Sequence, residues 1–128
     1  MEKEMPKNGL HTEYYDNGQK EMEENWKDGK VEGKKTYWHE NGQIHSEGTY
    51  IDDILNGKVT YWNENGEKKF DAYYKDGKPD GKWSAWYKSG QKKLETNYKD
   101  GKNHGKSIRW HENGQIELEK NYRDGKLI

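Results

Sequence analysis

Glycine recurs in this chain every 24 residues. Gly9, Gly33, Gly57, Gly81 and Gly105 form one ladder, and Gly18, Gly42, Gly66, Gly90 and Gly114 form a second. A third, Gly29, Gly77, Gly101 and Gly125, is interrupted only by Asp53. Aromatic residues keep the same step. Tyr14, Trp38, Trp62, Trp86 and Trp110 follow the first ladder by five residues, and Trp26, Tyr50, Tyr74, Tyr98 and Tyr122 follow it by seventeen. Five gap-free copies therefore occupy residues 9–32, 33–56, 57–80, 81–104 and 105–128, behind a short segment 1–8 that reads as a charged tail or a partial edge strand. A period of this length means one supersecondary unit that buries its apolar surface only by stacking on its neighbours.

Each copy carries two turn signals. Glu-Asn-Gly or a close variant supplies the first, and Asp-Gly-Lys the second. Asn-Gly and Asp-Gly provide the positive φ that tight hairpins demand. The runs between them are rich in Thr, Tyr and Trp, which suits strands. Five hairpins predict an all-β fold: a single elongated antiparallel meander sheet of about ten strands, with no 3.6-residue apolar stripe to suggest helix. If Glu-Asn-Gly is a three-residue loop with a left-handed glycine, Trp38 faces Ile44, Trp62 faces Lys68 and Trp110 faces Ile116. Strict alternation then sets Thr36 opposite Ser46, Thr60 opposite Phe70 and Ile108 opposite Leu118. It also predicts that both aromatic ladders share one face.

Composition explains how such a sheet holds together. Five Leu, six Ile, two Val and one Phe are too few for a conventional two-layer core. Twenty-three basic residues nearly cancel twenty-four acidic ones, so the charge imbalance that accompanies disorder is missing. Six Trp and ten Tyr supply the apolar area instead, each with a polar tip. A net charge of −1 argues against a general nucleic-acid or anionic-membrane surface. Without cysteine there is no disulfide framework and no thiolate site. The N-terminus MEKEMPKNGL has no apolar signal core, so the sequence reads as cytoplasmic unless a leader has been trimmed, in which case it would be secreted.

The pattern Gly-Lys-x-x-x-Trp-x-x-Asn-Gly, followed by an aromatic and Lys-Asp-Gly-Lys-x-x-Gly, resembles the MORN repeat variant. It is clearest across Gly57–Gly81 and Gly81–Gly105, and it covers all five copies. Bacterial proteins built wholly of this variant resemble the YwqK-like antitoxin family, which implies neutralisation of a toxin by direct binding. MORN arrays also serve as scaffolds, as dimerisers and as lipid binders, so the resemblance implies the fold more strongly than the function.

Function should be written where the copies disagree. Opposite the tryptophan ladder, the central copies place Tyr37, Val59, Tyr61, Tyr73, Trp83 and Tyr87, where outer copies carry His11, Glu13, Ser107 and Arg109. An apolar cluster rimmed by charge suggests a protein-binding patch. The alternative is that a curved sheet half-covers these rings itself. A second deviation is Ile51-Asp52-Asp53-Ile54-Leu55, in place of the usual Lys-Asp-Gly-Lys. Asp tolerates left-handed geometry, so the turn survives, and Ile51, Ile54 and Leu55 would form an apolar knob on one rim or tuck beneath a neighbouring turn.

The acids Glu23, Glu47, Asp71, Glu95 and Glu119 recur beside Lys34, Lys58, Lys82 and Lys106. Equal spacing on a solvated sheet suits cross-strand ion pairs better than acid–base chemistry, though an acidic row could steer a basic partner. The five histidines lack a metal-ligand spacing, and no nucleophile–base set or phosphate loop is present. The expectation is a non-catalytic module, without cofactor or metal, that binds a protein, and the resemblance implies an antitoxin or immunity protein that covers a cognate toxin. A self-associating scaffold is the alternative, because no sixth hairpin follows Ile128 to cover the last strand. Membrane docking ranks last.

Overall fold

A computed structural model describes residues 7–128, so most of the segment read as a tail at 1–8 lies outside the described residues. The described residues form one antiparallel sheet without a crossover. Its strands are β1 (Gly9–Tyr14), β2 (Lys20–Lys27), β3 (Lys30–Trp38), β4 (Ile44–Ile51), β5 (Ile54–Leu55), β6 (Gly57–Trp62) and β7 (Lys68–Lys75). They continue as β8 (Lys78–Trp86), β9 (Lys92–Lys99), β10 (Lys102–Asn103), β11 (Gly105–Trp110), β12 (Ile116–Arg123) and β13 (Lys126–Leu127). Ten are the long strands of the expected meander. The other three, β5, β10 and β13, are two-residue pieces that directly follow the second turn of their repeats.

Both turn types follow from their residues. The His39 N–H donates to Gln43 O at 2.8 Å, the Gly42 N–H to His39 O at 3.0 Å, and Gly42 has φ +89°. This is the three-residue loop with a left-handed glycine. The other turn is a two-residue reversal in which both central residues have positive φ, Asp28 at 50° and Gly29 at 79°, the geometry that matches strand twist. Asp53 keeps it at φ 68°, so the turn without glycine survives as expected.

The loop sets Trp38 opposite Ile44, Trp62 opposite Lys68 and Trp110 opposite Ile116, as the turn chemistry requires. Strict alternation then fails. Thr36 faces Glu47, not Ser46; Thr60 faces Asp71, not Phe70; Ile108 faces Glu119, not Leu118. In every hairpin an extra residue (Glu21, His45, Lys69, Lys93 or Glu117) is inserted just after the loop, and this bulge reverses the parity of the strand behind it. The two aromatic ladders therefore lie on opposite faces, which corrects the expectation that they share one.

On the tyrosine-ladder face each large ring stands across from a first-ladder glycine: Trp26 from Gly9, Tyr50 from Gly33, Tyr74 from Gly57, Tyr98 from Gly81 and Tyr122 from Gly105. The ring covers backbone that glycine leaves bare, which explains why both positions recur together. Among the described residues Met22, Val31, Val59 and Ala72 are the buried apolar ones, and no large side chain is fully buried. Most of the stabilising surface is thus half-covered rings, as the composition requires.

Two rails of hydrogen bonds join consecutive repeats. Along the Asp-Gly edge, the N–H groups of Gly29, Asp53, Gly77, Gly101 and Gly125 donate to the carbonyls of Lys7, Val31, Leu55, Pro79 and Asn103. Along the Asn-Gly edge, the Tyr15 hydroxyl donates to Trp38 O, His39 Nε2 contacts Trp62 O at 3.1 Å, and the Tyr87 hydroxyl donates to Trp110 O at 2.7 Å.

Candidate functional site

On the tyrosine-ladder face, strand pairing sets Ala72 opposite Trp83 and Trp83 opposite Thr96. Both neighbours are small, and both are buried. That room is what lets an indole lie on a sheet that otherwise alternates ring and glycine. Trp83 meets Phe70 edge-on, with centroids 5.2 Å apart, and packs against Tyr74 at 5.7 Å and Tyr98 at 4.9 Å. Tyr61 extends the cluster to Phe70 at 5.8 Å, and His45 to Tyr61 at 6.0 Å. Such tilted and edge-on pairs are the favourable arrangements for rings.

Between the third and fourth repeats these rings floor an open cleft of about 410 Å³, bordered by Tyr61, Phe70, Tyr74 and Trp83 and flanked by Lys69 and Lys93. Burial raises the Tyr74 hydroxyl above its ordinary pKa, reinforced by Tyr61, Tyr98 and Tyr50, so it stays a protonated donor. In the second repeat, Lys35 fills the corresponding space. Its ammonium lies 5.2 Å from the Tyr37 ring centre and 5.8 Å from that of Tyr50, and it pairs with the buried Glu24 at 3.2 Å. Burial opposes the Lys35 charge, but hydrogen bonds with Tyr37 and Glu24 outweigh it and hold the pKa above normal. One aromatic site is therefore closed by the protein's own cation, and the next is open.

The tryptophan-ladder face is charged and internally compensated. Lys34 pairs with Glu47 and Lys82 with Glu95, each at 3.3 Å, and Lys106 with Glu119 at 3.0 Å. Asp71 takes both Lys58 and Lys68, and also accepts the Thr60 hydroxyl at 2.7 Å. Four of the five recurrent acids are thus paired across strands, and the fifth, Glu23, pairs with Lys20 of its own strand at 2.8 Å.

The residues singled out from sequence separate in space. Tyr37, Val59, Tyr61 and Trp83 do lie opposite the tryptophan ladder, but Val59 is buried against Gly48 and serves the core. Tyr73 sits across from Lys58 on the other face, displaced by the parity change. Tyr87 is a strut, its hydroxyl bonded to the fifth repeat. Ile51 and Ile54 are half-exposed at the rim, whereas Leu55 packs inward toward Gly48, so the knob is only partly formed. Sequence reasoning missed Phe70, Tyr74, Lys69 and Lys93, all bordering the cleft. The bulge that groups them falls on chemically unlike residues, so no sequence signal marks it.

A family model described as the MORN repeat variant matches the chain five times, at residues 7–28, 31–52, 55–76, 79–100 and 103–127. No curated protein matches it.

Proposed function

The chain belongs to the MORN repeat variant family, whose repeats make binding or scaffold modules, and we propose that it is a non-catalytic module that captures a protein through the aromatic cleft of its third and fourth repeats. The observation behind this reading is the continuous ring contact from Tyr61 through Phe70 to Trp83, left open to solvent at the centre of the sheet. Amphipathic rings in a preformed hollow suit the anchor residues of a partner. A toxin is one such partner, and the antitoxin reading rests on the resemblance of the sequence alone.

Capture from the source lysate by the immobilised chain tests the proposal. Tyr61→Ala should abolish it, while Tyr73→Ala, on the opposite face, should leave it intact. Circular dichroism of both variants should match that of the parent chain. Capture that survives Tyr61→Ala removes the cleft from consideration.

A further inference from the structure

We infer that the cleft receives an acidic peptide segment carrying a large apolar side chain, a narrowing that rests on the protein-capture reading above. The charge arrangement carries it. On the tryptophan-ladder face Lys34, Lys58, Lys82 and Lys106 each have a carboxylate within 4 Å. Lys69 and Lys93 have none among the described residues; Lys93 lies 5.6 Å from the Tyr87 ring centre instead. Both are the inserted residues of their bulges, and a bulge turns two successive side chains toward one face. Lys69 therefore flanks the floor beside Phe70, and Lys93 flanks it from the facing hairpin. The equivalent residues elsewhere are Glu21, His45 and Glu117, so the pair of lysines belongs to the two copies that own the cleft.

Two uncompensated cations over an apolar floor select carboxylates flanking an apolar anchor, because charge complementarity directs encounter and register while the rings supply contact area. The recurrent acids Glu47, Asp71, Glu95 and Glu119 are paired with lysines on the other face, so they do not compete. Single-stranded nucleic acid also stacks on rings, but it needs a cationic groove that tracks many phosphates. Two lysines on a chain of net charge −1 do not make one.

A random heptapeptide display library panned on the full chain tests this. A synthetic peptide of the enriched sequence is then titrated by fluorescence anisotropy, and a labelled dodecamer of deoxythymidine is titrated in parallel. Enrichment of Asp and Glu around Leu, Phe or Trp is expected. Binding should fall roughly tenfold or more in the Lys69→Glu/Lys93→Glu chain, and be largely retained in Lys75→Glu/Lys99→Glu, which changes net charge equally. Enrichment of neutral or basic peptides that still require Tyr61 overturns the acidic inference while leaving the cleft reading standing. Absence of any Tyr61-dependent peptide overturns both. Tighter binding of the oligonucleotide, lost in Lys69→Glu/Lys93→Glu, overturns the inference in favour of nucleic acid.

Discussion

Asp53 and Val31 hold one another by two hydrogen bonds across consecutive repeats. The Val31 N–H donates to Asp53 Oδ1 at 2.7 Å, and the Asp53 N–H donates to Val31 O at 2.9 Å. Among the described residues only the second bond exists at the glycine-bearing turns, so the residue that breaks the glycine ladder adds an inter-repeat contact. Asp53→Asn keeps both the left-handed tolerance and the acceptor, and should unfold in urea like the parent. Asp53→Gly relieves backbone strain but orphans the N–H of a buried residue, for a net loss of up to about 1 kcal/mol. Asp53→Ala loses acceptor and tolerance together and should cost about 2 kcal/mol. An Ala variant as stable as the Asn variant would show that the contact contributes nothing.

Gly81 and Gly57 separate two costs that usually arrive together. Their φ values are similar, +111° and +100°, but a Cβ on Gly81 would lie 3.0 Å from Tyr73 Cβ, whereas on Gly57 its nearest neighbour is Thr49 Cβ at 3.9 Å. Gly57→Ala should therefore cost the conformational penalty alone, about 1–2 kcal/mol. Gly81→Ala must also push β7 from β8 and should cost about 1 kcal/mol more. Equal losses in chemical denaturation would mean that Tyr73 yields freely.

The hairpins were legible because their turns are chemically demanding. Only a few residues accept positive φ, and the second and third glycine ladders, with Asp53 in the one gap, place such a residue in every turn. The partition of residues between faces was not legible. A bulge of the kind at His45 and Lys69 needs no left-handed residue, so Glu21, His45, Lys69, Lys93 and Glu117 share no chemistry that would betray it. One unmarked insertion per hairpin exchanged faces for half of each repeat. It hid Phe70 and Tyr74 from the candidate patch and sent Tyr73 to the wrong side.

Asn63 is the weak place in the rail along the Asn-Gly edge. Tyr15, His39 and Tyr87 each reach the tryptophan carbonyl of the next repeat, and no such bond joins Asn63 to the fourth repeat among the described residues. Tyr87→Phe should cost about 1 kcal/mol and raise amide exchange chiefly in the fifth repeat, since stability in such arrays is nearest-neighbour. Asn63→Tyr should supply the missing strut and stabilise the chain by up to about 1 kcal/mol. Thermal unfolding at or below the parental midpoint in Asn63→Tyr would contradict the strut.

Acidification should weaken the fold in two separate ranges. The His45 pKa lies below its ordinary value through partial burial, then His39 and Lys69. Folding thus favours its neutral form, so that contribution is present above pH about 6.5 and fades as pH falls through the lower folded value. Glu95 is held below the ordinary carboxylate range by its hydrogen bond from Lys92, with burial opposing and Lys82 assisting. Glu23 is lowered chiefly by its hydrogen bond from Lys20, against burial and with help from the Thr12 hydroxyl. Those contributions persist through the histidine range and disappear only below pH about 4.3, as the carboxylates protonate. Urea midpoints measured by tryptophan fluorescence between pH 7.5 and 3 should therefore show two declines. His45→Gln should flatten the first and spare the second, whereas Lys92→Gln should spare the first and diminish the second, leaving the part held by Glu23 and Lys20. A first decline that persists unchanged in His45→Gln would assign it to another group.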